Sequence, residues 1–165
     1  SEPIYYPDDE VTLRLISYYP YQEEGVNMGE STMSVAVETD QNLSAGYFCS
    51  DFLVASQNLQ SAPKGAIALH YDHKFFKLKI ALVGKEGEEL QGILDDDPKL
   101  SVCGFYTKAI YDFQKETYSA FSNEKSITPA GKWEILGDRL SGKEVILIPQ
   151  ETTLGYQYIV LDVGG

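Results

Sequence analysis

The residues best suited to chemistry lie in the run His70-Tyr71-Asp72-His73, which contains both histidines of the chain. Imidazole and carboxylate groups this close together could ligate a metal ion such as zinc. In an extended strand, however, His70 and Asp72 share one face while His73 points to the other, and the spacing supplies no third ligand. We therefore predict no metal site in this run.

Other chemistry-bearing residues form no recognisable constellation. The run Asp95-Asp96-Asp97 lacks the alternating ligands, central glycine and closing glutamate of a calcium loop, so we expect a solvated turn. Ser101 lies in no glycine-flanked elbow, and the glycines form no phosphate-cradling loop. Paired carboxylates for glycoside hydrolysis stay possible in so acidic a chain, but no pair is singled out. We predict no enzyme and no cofactor.

The two cysteines, Cys49 and Cys103, have a spacing that matches neither a metal knuckle nor a redox pair. We expect two buried free thiols in preference to a disulfide.

Clustered aromatic residues offer a different kind of site, because their rings could stack on sugars. The candidates for ligand stacking are Tyr18, Tyr19, Tyr21 and Trp133, with Tyr5 and Tyr6 as further exposed-looking rings. Packing in a core or at a sheet edge is the commoner use of such residues, and both interpretations stay open.

The composition limits the class of protein. With 165 residues, the chain suits one ordinary domain or two small lobes, and its 43% apolar content indicates a folded chain. A net charge of −12 disfavours nucleic acid as a partner, because binding to phosphate backbones depends on Lys and Arg. No run approaches the ~20 apolar residues of a membrane span. The start, Ser1-Glu2-Pro3, does not resemble a signal peptide.

The element that would position the histidine run is a strand over residues 70–83. Alternation is strict from Phe76, which shares a face with Leu78, Ile80 and Leu82, whereas Lys77 and Lys79 occupy the other face. The apolar residues just upstream fall on odd positions, so a continuous strand would need a bulge or kink near residues 72–74. We expect a central strand with Phe75 or Phe76 in the core, and a cost of about 3–5 kcal/mol for Phe76→Ala.

Further short alternating or apolar runs predict a protein built of strands. They lie at residues 11–15, 33–37, 102–113, 133–136, 145–148 and 156–163, and a short strand or helical turn is expected within residues 47–55. Residues 84–98 are expected to be a linker, residues 114–132 form a polar stretch, and residues 137–143 are expected to be a turn. No segment has sustained helical periodicity. The predicted fold class is all-β, an antiparallel β-sandwich.

Several stretches together resemble the fimbrillin-like family of surface lipoproteins and pilus subunits from Bacteroides-type bacteria. They are Pro3-Ile4-Tyr5-Tyr6-Pro7, Ser17-Tyr18-Tyr19-Pro20-Tyr21, Asp40-Gln41, Asp51-Phe52-Leu53-Val54-Ala55, His73-Lys74-Phe75-Phe76-Lys77-Leu78 and Val145-Ile146-Leu147-Ile148-Pro149-Gln150. The pair Phe75-Phe76 departs from the family pattern, in which Leu-Ser is usual. The signal peptide, lipid-carrying cysteine and terminal strands of the pattern are missing, so the chain is expected to be a middle portion.

The resemblance implies two β-sandwich lobes with transthyretin-like Greek-key folds. The first would span residues 1–95 without its first strands, and the second residues 96–165 without its last strands.

The resemblance also implies a non-enzymatic structural function. The protein would be a pilus or fimbrial subunit, or a tip or anchor component, with a role in adhesion. It would be exported through the periplasm, lie at the cell surface on the outer membrane through a lipid anchor outside this chain, and join other subunits or itself by β-strand exchange after proteolysis. The alternative is a carbohydrate-binding or adhesive module that uses surface Tyr and Trp against glycans or a host surface; an enzyme is third.

Overall fold

Antiparallel strands make up most of the regular structure, in a computed structural model that describes residues 12–61, 63, 65–85 and 89–163. The strands are β1 (Leu13–Tyr19), β2 (Val26–Asn27), β3 (Thr32–Ala36), β4 (Leu53–Leu59), β5 (Asp72–His73), β6 (Phe76–Val83), β7 (Lys99–Val102), β8 (Tyr106–Asp112), β9 (Thr117–Glu124), β10 (Glu134–Leu136), β11 (Arg139–Leu147) and β12 (Ile159–Asp162). Two short helices are present, α1 (Ser44–Cys49) and α2 (Leu90–Asp95). In this part of the chain, no helix has the length and apolarity needed to cross a membrane. The predicted all-β fold class is confirmed.

The strands form four antiparallel sheets. The largest has the order β2-β3-β8-β9, two others have the orders β1-β4-β5 and β10-β11-β6, and β12 pairs with β7. In β8, Thr107, Ala109 and Tyr111 are buried while the residues between them are exposed, so one face of the largest sheet covers the core. The core is one cluster of buried side chains drawn from all four sheets. The apolar run at the end of β11 is covered on both faces, as its lack of alternation predicts.

Sheets and core both join residues from the two sides of position 95. Strand β3 pairs with β8, and β6 pairs with β11. The division into lobes 1–95 and 96–165 stays a prediction, and these pairings weigh against it. The segment at residues 3–7 and the first residue of the predicted strand 11–15 lie outside the described residues.

The alternation predicted for β6 is confirmed, but its predicted position in the sheet and the predicted burial of its first residue are not. Ile80 is buried and Lys77 and Lys79 are exposed, as expected. Phe76, however, is 39% exposed, whereas Phe75 is 7% exposed and enters the core. The parity changes because the chain leaves one sheet after β5 and joins another at β6, and not because of a bulge within one strand. Among the described residues β6 pairs only with β11, which places it at the edge of that sheet and weighs against the predicted central strand.

Four further segments differ from those predicted. The long strand expected at residues 102–113 is two strands, because the chain turns at Gly104, whose φ is +72°. The polar stretch 114–132 contains β9, whose alternation is interrupted at Ala120 and Asn123, both with positive φ. Part of the expected linker forms α2, and β11 begins inside the expected turn at residues 137–143.

Both cysteines are free, as predicted, but they are not buried: Cys49 is exposed and Cys103 is partly exposed. The helix α1 accounts for the first case, because none of its residues is buried.

Candidate functional site

The histidine run does not form a metal site in the described part of the chain. His73 Nδ1 lies 2.7 Å from Asp51 Oδ1, a contact that the pairing of β5 with β4 produces. No group of three His, Cys, Asp or Glu side chains is placed to hold a metal ion there. That the whole chain binds no metal stays a prediction.

The predicted stacking residues are not equivalent in the structure. Trp133 is buried, and its indole N–H donates a hydrogen bond of 2.8 Å to the carbonyl of Pro98, so little of its ring is exposed at the surface. Tyr18 is half-buried, with its ring centroid 6.2 Å from that of Phe113. Tyr19 and Tyr21 are exposed. Ligand stacking stays a prediction for all four residues, and the burial of Trp133 weighs against it at that position.

A different set of aromatic residues lines a cleft of about 800 Å³. Four rings come from the neighbouring strands β8 and β9: Tyr106, Tyr111, Tyr118 and Phe121. The other lining residues include His73 and Lys74, which precede β6, and residues 149–151, which follow β11. Because β6 and β11 are antiparallel partners in register, with Phe76 opposite Leu147, these two segments leave their sheet at the same end.

Tyr111 and Tyr118 face each other directly across β8 and β9, with ring centroids 5.2 Å apart. The Tyr118 hydroxyl donates to the carbonyl of Lys74, which is a main-chain group at the cleft wall. The Tyr111 hydroxyl is buried and has no hydrogen-bond partner in the described part of the chain. Burial is the main cause that raises the pKa of Tyr111 to about 12, and burial raises the pKa of Tyr118 as well. Both phenols are therefore neutral at physiological pH.

The charged groups at the cleft compensate one another. Lys74 Nζ lies 3.1 Å from Glu116 Oε2 and 3.8 Å from Asp72 Oδ2, and the Lys74 side chain is only 15% exposed. Its positive charge is thus paired with carboxylates on two sides. Glu151 is a further carboxylate at the cleft.

The amide of Gln150 fixes one wall of the cleft. Its Oε1 accepts the backbone N–H of Tyr106 at 2.9 Å, and its Nε2 donates to the carbonyl of the same residue at 3.1 Å. The start of β8 is thereby held to the segment that follows β11.

A second surface feature is the free edge of β12. Ile159, Val160 and Leu161 are 42%, 40% and 36% exposed, so apolar side chains are exposed on both faces of this strand. In the described chain it pairs with β7 alone.

The hydrogen bonds of β7 show which backbone groups of β12 lie at the free edge. Val102 directs both its N–H and its carbonyl to Ile127, at 2.9 and 2.8 Å. It is therefore in a non-hydrogen-bonded pair with Ile159, which lies opposite it on β12. Because the two kinds of pair alternate, the N–H groups of Ile159 and Leu161 point away from β7.

Sequence comparison identifies the class of protein. The family model described as fimbrillin-like matches residues 1–165, the whole chain. The chain belongs to the fimbrillin-like family. Membership of this family indicates a surface protein of the pilus or adhesion type. No curated protein matches the sequence.

Solved structures share the fold of this fimbrillin-like chain. A putative cell adhesion protein from Bacteroides uniformis superposes with a TM-score of 0.61 at 21% identity, over 96% of this chain and 56% of that one. A putative cell adhesion protein from Bacteroides ovatus gives a TM-score of 0.56 at 16% identity, over 86% of this chain and 50% of that one. The chain spans about half the length of the structures it matches.

The cleft residues of this fimbrillin-like chain were not found from the sequence. Alternation in residues 105–113 does predict that Tyr111 points inward. The partner strand β9 gave no such signal, so Tyr118 and Phe121 could not be placed beside it.

Proposed function

We propose that this protein is a non-enzymatic structural component of a cell-surface pilus or fimbria, exported to the outer membrane and joined to other subunits or to itself by β-strand addition at β12. The proposal is supported by the family and, above all, by the exposure of β12. A strand that presents apolar side chains on both faces and unpaired backbone groups on one edge is a template for another strand.

The geometry of β12 suits strand addition better than that of β6, a longer strand that also lies at the edge of its sheet in the described chain. The free edge of β6 carries Lys77 and Lys79, and exposed lysines on an edge disfavour pairing with another chain. Strand β12 has no basic residue. An added strand could hydrogen-bond to Ile159 and Leu161 and cover the apolar side chains beside them.

The test compares Leu161→Pro with the wild-type protein in the bacterium that carries it. Proline removes one N–H from the free edge while Val160 and Asp162 keep the N–H groups that face β7. Leu154→Pro, at a fully exposed position outside any strand, is the control. Fibre assembly is measured by immunogold electron microscopy, and surface location by labelling with a membrane-impermeant lysine reagent.

We expect Leu161→Pro to reach the surface but to lose assembly, and Leu154→Pro to assemble normally. Hydrogen exchange should show the amides of Ile159 and Leu161 protected in the assembled form and open in the monomer. Normal assembly of Leu161→Pro, or assembled protein with both amides unprotected, would refute strand addition at β12. Absence of surface labelling would refute the proposed location.

A further inference from the structure

We propose that the cleft formed by Tyr106, Tyr111, Tyr118 and Phe121 together with residues 73–74 and 149–151 binds a neutral saccharide. This inference does not depend on strand addition at β12, because the cleft residues belong to other strands.

The shape and the lining of the cleft suit a small ligand. Its volume of about 800 Å³ is within the range of pockets that bind small molecules. Three of the four lining rings, Tyr106, Tyr118 and Phe121, are at least partly exposed and offer apolar surface on which the C–H face of a sugar ring can pack, whereas Tyr111 is buried. Among them Tyr106 is 41% exposed and lies beside Phe121, with ring centroids 6.2 Å apart. These two rings provide part of that surface.

The unpartnered Tyr111 hydroxyl favours a ligand that carries hydroxyl groups. This hydroxyl is buried without a partner, an arrangement that costs free energy and is rare in native proteins. The hydroxyl of the neighbouring Tyr118, in contrast, donates a hydrogen bond to a carbonyl of the protein. A ligand hydroxyl can both donate and accept, so it could pair with Tyr111 in either sense.

The charges around the cleft select against ionic ligands. An anion would meet Glu116 and Glu151 in a protein of net charge −12. A cation would have to compete with Lys74, whose ammonium group already lies 3.1 Å from Glu116. A neutral ligand meets neither obstacle, and the Lys74–Glu116 pair still offers it hydrogen-bond donors and acceptors.

A peptide strand is a poorer occupant than a saccharide. Strand β9 is the edge of its sheet, so a strand would have to add along it. However, Glu116, Ala120 and Asn123 have φ values of +53°, +49° and +60°, and such residues bend an edge and interrupt its hydrogen-bonding register. The intact stretch between the first two of them is too short to template an added strand.

The first experiment is a binding screen with the purified protein. A glycan array that presents neutral and sialylated oligosaccharides is followed by saturation-transfer NMR and titration with lactose, maltose, cellobiose and chitobiose. A synthetic peptide of residues 158–163, YIVLDV, which contains β12, is titrated in parallel as the strand probe. We expect binding of at least one neutral saccharide. Binding of no neutral saccharide at millimolar concentration, binding of sialylated glycans alone, or protection of β9 amides by the peptide alone would overturn the proposal.

Variants then locate the site. Tyr106→Ala removes an exposed ring and is expected to abolish saccharide binding while the protein stays folded. Tyr111→Phe removes only the unpartnered hydroxyl and with it the cost of burying it, so the midpoint of urea unfolding should not fall while binding weakens about tenfold. Tyr21→Ala, at an exposed ring outside the cleft, should bind as wild type.

Unchanged binding in both Tyr106→Ala and Tyr111→Phe would overturn the assignment to this cleft. Leu161→Pro should keep saccharide binding and Tyr106→Ala should keep fibre assembly, so failure of this proposal and failure of strand addition are told apart.

Discussion

The side chain of Gln41 pairs with the backbone of Ile146 as one residue of a β-strand would. Its Nε2 donates to the Ile146 carbonyl at 2.8 Å, and its Oε1 accepts the Ile146 N–H at the same distance. Two residues earlier in β11, Glu144 exchanges both backbone hydrogen bonds with Ala130, at 2.8 and 3.1 Å. The amide thus continues the pairing of the β11 edge opposite β6, in a fully buried position where water is excluded.

We predict that Gln41→Leu lowers the free energy of unfolding by about 3 kcal/mol, because it leaves two buried backbone groups without partners. Urea unfolding followed by circular dichroism measures the change. Gln150→Leu is the matched control, since Gln150 binds Tyr106 in the same way but in a partly exposed position, where water can replace the amide. Gln150→Leu should lower the free energy of unfolding by less than about 1 kcal/mol. Equal losses in the two variants would contradict this explanation.

Both glutamines lie in segments that carry the family resemblance, Asp40-Gln41 and the run that ends in Pro149-Gln150. Their type and position could be read from the sequence, but their role could not. Gln41 and Ile146 are 105 residues apart, and a polar residue beside a turn normally indicates solvent exposure. Only the path of the chain brings a buried backbone edge to this amide.

The second prediction concerns the two adjacent phenylalanines before and in β6. Phe75→Ala should cost about 3–5 kcal/mol, because its ring is buried against Phe52 and Tyr118, with ring centroids 5.3 and 6.0 Å away. Phe76→Ala should cost less than about 1.5 kcal/mol, since its side chain is 39% exposed. The unfolding midpoints of the two variants in urea provide the comparison. A larger loss of stability in Phe76→Ala than in Phe75→Ala would mean that the register predicted from the sequence is the correct one.

The same pair shows where periodicity stops being informative. Alternation from residue 76 onward places Leu78, Ile80 and Leu82 on the correct face, because a strand with one buried face imposes a period of two. It cannot show that the chain changes sheets between His73 and Phe76. A bulge and a change of sheet both shift the parity by one residue, so the sequence pattern fits either.

A third prediction separates two glycines of the β10–β11 hairpin. Gly137 and Gly142 both have positive φ, +63° and +106°. A Cβ at Gly142 would lie 2.1 Å from the carbonyl oxygen of Lys132, whereas a Cβ at Gly137 meets nothing within 4 Å. Gly137→Ala should therefore cost about 1–2 kcal/mol from backbone strain alone, and Gly142→Ala clearly more.

Thermal unfolding of both alanine variants checks this prediction. Gly142 lies in the irregular stretch of β11, where the register with β6 shifts between Leu140 and Lys143. A melting temperature for Gly142→Ala as high as that for Gly137→Ala would show that this bulge can relax to accept a side chain.

The last prediction follows from the raised pKa of Tyr111, whose ordinary value of 10.0 becomes about 12 in the folded protein, mainly through burial. Between these values the unfolded chain loses this proton while the folded chain keeps it, so stability is full below pH 10 and falls as the pH rises towards 12. One such group contributes about 1.4 kcal/mol per pH unit.

Tyr111→Phe should therefore reduce the loss of unfolding free energy between pH 9 and pH 11, measured in urea. An identical slope in Tyr111→Phe and wild type would mean that the buried hydroxyl ionises as readily in the folded protein as in the unfolded chain.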